Sequence, residues 1–452
     1  MTFKNNDEPT VGNPPAGKKP LGVIFLTLFL DLVGFSIIFP LFPAMLAYYL
    51  PAEGGSGLLG GFVDWARSLA VEDSPFLVSV LFGGILGSLY AILQFIFAPI
   101  WGALSDRHGR RGILLITLGL TALSYALWVV AAPFALLVLA RLLGGLAAGN
   151  LSVATAAVAD ITSRQDRSKG MALVGIAFGL GFITGPAIGG LSALLDLSAL
   201  FPALTAIGIN PFSTPALVAF VLAIINWVWV WKRFPETLPP AKRNPAQPIQ
   251  LGRRIAEIFR VTHPKVRQTN RIYLLFMIAF SGMEFTLTFL AVERFAYTPA
   301  RNGMMFLYIG FVLILVQGGL VRRLAPRVGE LRLSRIGCVA GLIGFVLLAF
   351  AESTALFYTG LTAFALGVGL VSPCLTALVS LYTPEADQGR LLGTFRAAGS
   401  LARAIGPLLA AWIYFQYGST TAYLVGAMII IPSLILTLWL TQPSIHHKAE
   451  TA

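Results

Sequence analysis

Twelve blocks of this chain stay apolar for about 20 residues, the length a helix needs to cross a hydrocarbon core of about 30 Å. They lie near residues 21–50, 76–104, 112–131, 133–159, 170–194, 215–231, 271–297, 303–321, 332–351, 354–382, 391–414 and 418–440. A soluble core cannot hide that much apolar side chain: 56% of the 452 residues are hydrophobic and 12% are charged, so the solvent is lipid. Inside lipid the backbone must satisfy its own polar groups, which leaves helices or a closed barrel. Barrel strands would show as alternating segments of about ten residues, whereas these blocks are continuous. The expected fold is all-α integral membrane, with 12 transmembrane helices. The first block is longer than a signal-peptide core and carries Asp31, so it is read as mature structure.

The formal net charge of +12 suggests nucleic acid until its placement is considered. Of the 32 Lys and Arg, the odd-numbered loops hold only Arg67, Arg294 and Arg301, while Arg141, Arg396 and Arg403 lie inside spans. The rest occupy the termini and even-numbered loops, which the positive-inside rule puts in the cytoplasm. The expected division is a cytoplasmic tail at 1–20, a six-helix bundle at 21–231, a basic linker at 232–270, a second bundle at 271–440 and a cytoplasmic tail at 441–452. Within the linker, LGRRIAEIFR is a candidate surface helix beside anionic lipid. Residues 51–75, Gly-rich and then acidic around Trp65, are expected to form an interfacial helix or a lid on the outer surface. Cys338 and Cys374 fall inside spans and read as core fillers, with no disulfide or metal signalled.

The two halves repeat. A shift of 221 residues lays Asp166 on Asp387, Lys169 on Arg390 and Gly185-Pro186 on Gly406-Pro407. Duplicated halves are how many secondary transporters build a central site that faces either side in turn.

Between spans two and three stands GALSDRHGRR, with Gly102, Asp106, Arg107, Gly109, Arg110 and Arg111. This segment resembles the loop signature of the major facilitator superfamily, which implies its fold: two pseudo-symmetric six-helix bundles. As a latch, Gly102 allows close helix approach, Asp106 can pair across to the neighbouring helix, and the arginines are expected at the lipid headgroups. Three further segments resemble the twelve-span drug/proton antiporters of that superfamily: span one with Asp31, Gly34, Pro40 and Pro43, span four with Arg141, Gly145 and Gly149, and span five from Gly179 to Gly190. The span-five motif, Gly179, Gly181, Gly185, Pro186, Gly189 and Gly190, offers a smooth face on which the halves can pack and rock, softened by Pro186. The chain is similar to the tetracycline/proton antiporters in overall pattern. It departs from them where their span-three acid falls on Ser124, their span-eight histidine on Leu313 and their span-nine acid on Gly341. The resemblance therefore implies the antiporter class, in a bacterial inner membrane, without tetracycline as the cargo.

An ionisable group near mid-bilayer costs about 2.5–3.5 kcal/mol on insertion scales, so each asks for a function or a partner. Asp31 is the first candidate proton carrier, because a buried carboxyl is a group that can load and unload a proton near neutral pH; the alternative is a helix brace. Arg141 is a candidate to modulate that carboxyl, and Glu284 in span seven is a second proton site or a partner for a span-eleven arginine. Arg396 and Arg403 are two turns apart on one face and would bind anionic cargo or neutralise Glu284. Arg396 can alternatively snorkel to the cytoplasmic surface. Tyr90, Gln94, Asn150 and Gln317 supply neutral polar atoms for cargo or for helix-to-helix hydrogen bonds, and the 32 Phe are as many as an adaptable apolar pocket would require, although most of them read as lipid-facing.

No nucleotide-binding loop, paired metal ligands or nucleophile motif is present in the sequence, so no cofactor, metal or enzymatic activity is expected. Partners expected are a small-molecule substrate, protons and the bilayer, with the chain a monomer. Drug or metabolite export by proton antiport leads. Proton symport of a nutrient or anionic metabolite follows if Arg396 and Arg403 face the cavity, and a transporter-like sensor or scaffold is third.

Overall fold

The computed structural model describes residues 18–53, 57–69, 74–162, 167–243, 260–384 and 387–442. Most of both tails, residues 244–259 of the basic linker with all but the last residue of its candidate surface helix, and Asp166 lie outside the described residues, as do the side chains of Lys169 and Arg390.

The first span is α1 (Lys18–Ser36), a short 3-10 turn and α2 (Phe42–Tyr49), broken around Pro40 and Pro43. The small helix α3 (Gly57–Ser68) precedes α4 (Pro75–His108) and α5 (Arg110–Val129). Span four is divided into α6 (Phe134–Ala147) and α7 (Asn150–Ile161), and is followed by α8 (Arg167–Ser192), the single turn α9 (Leu197–Leu200) and α10 (Ser213–Arg233). The second half comprises α11 (Pro264–Phe295), α12 (Pro299–Ile314), α13 (Arg322–Val328), α14 (Glu330–Ala349), α15 (Thr354–Tyr382) and α16 (Gln388–Leu438). Proline at the first helical position starts α4, α11 and α12, where its missing N–H loses nothing.

Among the described residues, eleven helical segments are long and apolar enough to cross a membrane. The last runs 48 residues, twice what one crossing needs, and Gly418 breaks it with φ 79° and ψ 172°. It supplies two crossings, and the twelve expected spans are all present. Two spans depart from simple helices. Span four breaks at Ala148-Gly149, where Trp101 Nε1 donates to the freed Leu146 carbonyl at 2.7 Å. Span eight contains a π-helical segment, Leu315–Val321.

The duplication is visible in the packing. Ser36 Oγ donates to Gly181 O at 3.0 Å, and a Cβ on Gly185 would strike that same Ser36 hydroxyl. In the other half Ser281 Oγ donates to Ala402 O at 3.1 Å, and Gly406 lies against Ser281 in the same way. Contacts between the halves also pair: a Cβ on Gly303 would lie 2.7 Å from Pro186 O, and one on Gly84 would lie 2.9 Å from Pro407 O. Gly190 likewise abuts Pro299 O and Gly303, and Gly84 abuts Ala411. α8 thus packs on α12, and α4 on α16, at the end where residues 51–75 lie. Farther along α8, a Cβ added at Gly175 or Gly179 would have nothing within 4 Å, and Gly393 on α16 is equally open. The halves meet at one end and part toward the other.

That closed end carries the expected helix at residues 51–75. In α3, Val63 and Ala66 are buried while Phe62 and Trp65 stack with each other and remain partly exposed. Gln416 Nε2 reaches across from the second half to Leu69 O at 3.0 Å, so the segment joins the halves as a lid would. Nearby, Arg294 donates to the carbonyls of Leu348, Ala349 and Ala351, placing a cation on the C-terminal end of α14. Cys338 and Cys374 are free and buried, as core fillers should be.

Candidate functional site

A cavity of about 670 Å³, open to solvent, lies between the halves. α4 contributes Tyr90 and Gln94, α6 contributes Arg141, α11 contributes Glu284, and α16 contributes Arg403. Five of the expected residues therefore share one space, drawn from both halves. Arg141 is 6% exposed, and its guanidinium lies over the Tyr90 ring, 4.6 Å from the centroid. Arg403 lies over two rings of the opposite half, Phe178 at 4.9 Å and Phe182 at 5.3 Å. No ion pair within 4.0 Å joins either arginine to Asp31 or Glu284; the pairs formed by described residues lie elsewhere. Both cations are steadied by aromatic faces, an arrangement worth about 0.5–2 kcal/mol each.

Asp31, Asn150, Gln317 and Arg396 are not among the cavity-lining residues. Asp31 accepts a 2.8 Å hydrogen bond from Asn150 Nδ2, which also lies 3.4 Å from Thr121 Oγ1. Asn150 is buried and starts α7 directly after the break in span four, so it orients Asp31. Gln317 is exposed and belongs to the π-helical segment, whose wider turn moves it off the face a regular helix would give it. Arg396 is exposed, and two turns of about 5.4 Å carry it past Arg403 toward the parted end.

The loop from Gly102 to Arg111 is a latch within the first half, and one expectation about it needs correction. Arg110 is turned into the protein and not outward toward lipid: it is 5% exposed, pairing with Asp106 at 2.6 Å and Asp160 at 2.9 Å and donating to Ser105 Oγ at 2.6 Å. Asp106 does pair across to the neighbouring helix. The backbone N–H groups of Arg110 and Arg111 donate to Glu236 at 2.8 and 3.3 Å, and Arg111 also donates to Trp231 O at 2.6 Å. The ends of α4, α5, α7 and α10 are thereby tied by charge. Gly109 makes the turn at φ 100°, with Glu236 where a Cβ would stand. Arg107 is exposed, and Gly102 lets Ser152 approach.

The span-five motif is also used differently from the expectation. Gly181, Gly185 and Gly189 face α1 of their own half, while Pro186 and Gly190 face the other half. Pro186 and Gly190 therefore lie on the seam between the halves, Gly181, Gly185 and Gly189 seat α8 against the first span, and Gly179 meets neither.

Sequence reasoning missed the aromatic lining: Phe35, Phe39, Phe42, Phe182 and Phe285 all border the cavity. Phe178 stacks on Phe182 with centroids 4.7 Å apart, and Phe182 continues to Phe35 at 5.7 Å. The signal was present as Phe pairs four apart, 35/39 and 178/182, which place two rings on one helix face. Asp160 and Glu236 were also missed as latch partners.

Two six-helix bundles meeting over a central charged and aromatic cavity define the class of membrane transporters that expose one site to either side in turn. The chain belongs to the Major Facilitator Superfamily, whose family model matches residues 24–389 and 363–452. Its members are transporters and not enzymes. The chain is 35% identical over 455 residues to the Bos taurus protein "Major facilitator superfamily domain-containing protein 10", covering 95% of this chain and 94% of that one. It is 29% identical to "Tetracycline resistance protein, class D" of Salmonella ordonez, over 94% of this chain and 98% of that one. Among solved structures it is similar to one titled "Crystal structure of the human organic anion transporter MFSD10 (TETRAN)", with 33% identity, a TM-score of 0.72, and coverage of 94% of this chain and 100% of that one.

Proposed function

We propose that this chain exports amphipathic organic anions in exchange for protons, by alternating access of the central cavity. The observation that carries the anion reading is the pair of guanidinium groups, Arg141 and Arg403, which border that cavity without an ion pair within 4.0 Å among the described residues. Aromatic rings around them suit an apolar body attached to the anionic group. A relative titled as an organic anion transporter supports the same reading. Antiport and export rest on the antiporter-like motifs in spans one, four and five, with Asp31, oriented by Asn150, as the proton carrier. The Lys and Arg content of the tails and linker supports a cytoplasmic location for them, in a cell membrane. A bacterial inner membrane is the narrower proposal, and the Bos taurus relative belongs to a lineage outside bacteria.

One observation favours symport as a second reading. Glu284 and Arg403 line the same cavity without an ion pair, so a proton and an anion have room to bind side by side. Proteoliposomes with an internal pH dye separate the two. Addition of an aromatic carboxylate should move protons opposite to the anion if antiport is right, and with it if symport is right. Transport of cations in place of anions, unaffected by Arg403→Gln, would remove the anion reading.

A further inference from the structure

The two arginines of the cavity are accompanied by one acid, Glu284, and these three are the charged side chains among the lining residues. Glu284 and Arg403 belong to the same half, on helices pinned together beside them. Ser281 Oγ donates to Ala402 O at 3.1 Å, and a Cβ added at Gly282 would lie 2.9 Å from Gly406 O. Ser281 and Glu284 are three residues apart and share a face of α11, while Ala402 directly precedes Arg403 on α16. The carboxylate and the guanidinium are thus set at neighbouring levels of two packed helices, yet no ion pair within 4.0 Å joins them. The Arg403 guanidinium lies over rings of the other half, 4.9 Å from the Phe178 centroid and 5.3 Å from that of Phe182.

An acid and a cation that are not paired both act on whatever enters the cavity. Asp31 lies outside the lining residues, and its carboxylate accepts from Asn150. With Glu284 ionised, the lining therefore carries two positive charges and one negative, a balance of +1. A monoanion brings that balance to zero. A dianion leaves one negative charge in excess, in a space walled by Phe35, Phe39, Phe42, Phe182 and Phe285 that solvates charge poorly.

We propose that Glu284 is a specificity-determining residue, restricting the cargo to monoanions by repelling each negative charge that Arg141 and Arg403 attract. This rests on the anion reading above, in which Asp31 carries the proton and Glu284 stays ionised while cargo is bound. The recognised ligand is an apolar, aromatic body with a single carboxylate or sulfonate, and a second anionic group is selected against by a built-in like charge. Two unit charges about 10 Å apart at an effective dielectric constant of about 20 repel by an amount equal to about tenfold in affinity. Solvent in the open cavity lowers this, so each ligand charge should cost about three- to tenfold.

The test compares two ligands of one shape, a naphthalene bearing a carboxylate and a carboxamide, and the same ring bearing two carboxylates. Each competes with radiolabelled naphthalene carboxylate for the purified full-length protein in detergent at about pH 8.5, where ordinary carboxyl groups are ionised. Because the repulsion counts once per ligand charge, Glu284→Gln should tighten the monoanion by about three- to tenfold and the dianion by about the square of that factor. Glu284→Asp, which keeps the charge, should retain the unsubstituted preference for the monoanion. Glu284→Met, of similar volume, should act as Gln does, which keeps the test decisive if Glu284→Gln does not fold. A merely structural role would move both ligands together, so equal changes, no change, or an Asp variant that behaves like Gln would overturn the proposal. Arg141→Gln and Arg403→Gln separate the two levels. If the labelled carboxylate does not bind, or binds as well after both substitutions, the anion reading has failed; if either substitution weakens it while Glu284→Gln leaves the ratio of the two ligands unchanged, only the charge selection has failed.

Discussion

Gly109 and Gly329 occupy corresponding turns in the two halves, each the single residue between two helices, so substituting both by alanine isolates what differs around them. Their backbones are alike, φ 100° and ψ 153° at Gly109 against φ 87° and ψ 148° at Gly329. That region is nearly closed to residues with a Cβ, at a cost of about 1–3 kcal/mol in either half. The surroundings differ. A Cβ at 109 would lie 2.4 Å from Glu236 Oε2, the carboxylate that holds the N–H groups of Arg110 and Arg111. Hydrogen bonds to a charged group are worth about 1.5–3 kcal/mol, and since Glu236 is 31% exposed the loss should sit near the lower value. A Cβ at 329 would lie 2.8 Å from Gln442 Nε2, which donates to the exposed Glu330 carboxylate at 3.1 Å while Oε1 of the same neutral amide accepts from Leu331 N at 3.1 Å, solvent-exposed bonds together worth about 1 kcal/mol. Gly109→Ala should therefore cost about 1–2 kcal/mol more than Gly329→Ala, a difference of a few degrees in melting temperature. Thermal unfolding in detergent, followed by tryptophan fluorescence, reads it directly. In a Glu236→Ala background the excess at 109 should vanish. Equal losses at the two positions, or an excess that survives Glu236→Ala, would refute the assignment of Glu236 as the latch acceptor.

The other acids of the latch should rank by burial. Asp160→Asn should destabilise by about 2–3 kcal/mol, because Arg110 is buried and Asp160 is 18% exposed, whereas Asp106→Asn, 52% exposed, should cost less than about 1 kcal/mol; the reverse order in the same melting assay would be wrong for this geometry. Asn150→Leu removes the 2.8 Å bond that orients Asp31 and should slow proton-driven transport about tenfold or more, while substrate exchange without a gradient continues; equal loss of both would make Asn150 a general structural residue. Gly84→Val should wedge the closed end apart, since even a Cβ would meet Ala411 Cβ at 2.2 Å. A cysteine at buried Phe42 should then become reactive to an impermeant maleimide added from that side, and unchanged labelling would show that α4 and α16 do not form the gate.

How much of this was legible in the sequence follows from what each feature depends on. Span number, the duplication and the latch loop were legible because they rest on hydrophobic length, on a repeated Gly-Pro and on a dense local motif. The 221-residue shift lays Gly185 on Gly406, and in the structure each of the two meets a serine of its own half, Ser36 and Ser281. Side-chain direction was less legible. Arg396 and Arg403 share a helix face, but cavity depth decides which one lines it, and depth depends on where the halves part. Gln317 moved because a π-helical segment shifts everything on it, and no residue type announces that turn. Phe178 and Phe182 look like lipid-facing residues in sequence because a membrane removes the polar contrast that marks an inward face in soluble helices. Arg110 was expected at the headgroups because Asp160 and Glu236, its partner and its neighbour, lie 50 and 126 residues away.

The strengths of these contacts are ordered as alternating access requires. Within the first half, the latch joins the ends of four helices through a buried guanidinium, and breaking its pair with the partly exposed Asp160 costs about 2–3 kcal/mol because a charge is left without its partner. Between the halves, the closed end rests on Gly84 against Pro407 and Gly303 against Pro186, contacts of backbone on backbone with no ion pair among the described residues there. Each atom pair in such a contact contributes about 0.1–0.2 kcal/mol, so the interface yields gradually and re-forms with little barrier. Arg403, a cation that bridges the halves in the cavity, does so through aromatic rings, which need no fixed donor geometry and release it without leaving a buried acceptor unsatisfied. Ion pairs tie the helices of the first bundle together, whereas the described contacts between the halves are van der Waals and aromatic ones with a few hydrogen bonds, such as Gln416 to Leu69 O and Asn302 to Pro40 O. If the proposed exchange is right, the seam that contains the cavity is where the least is lost when the halves move, and where a bound anion can act on both.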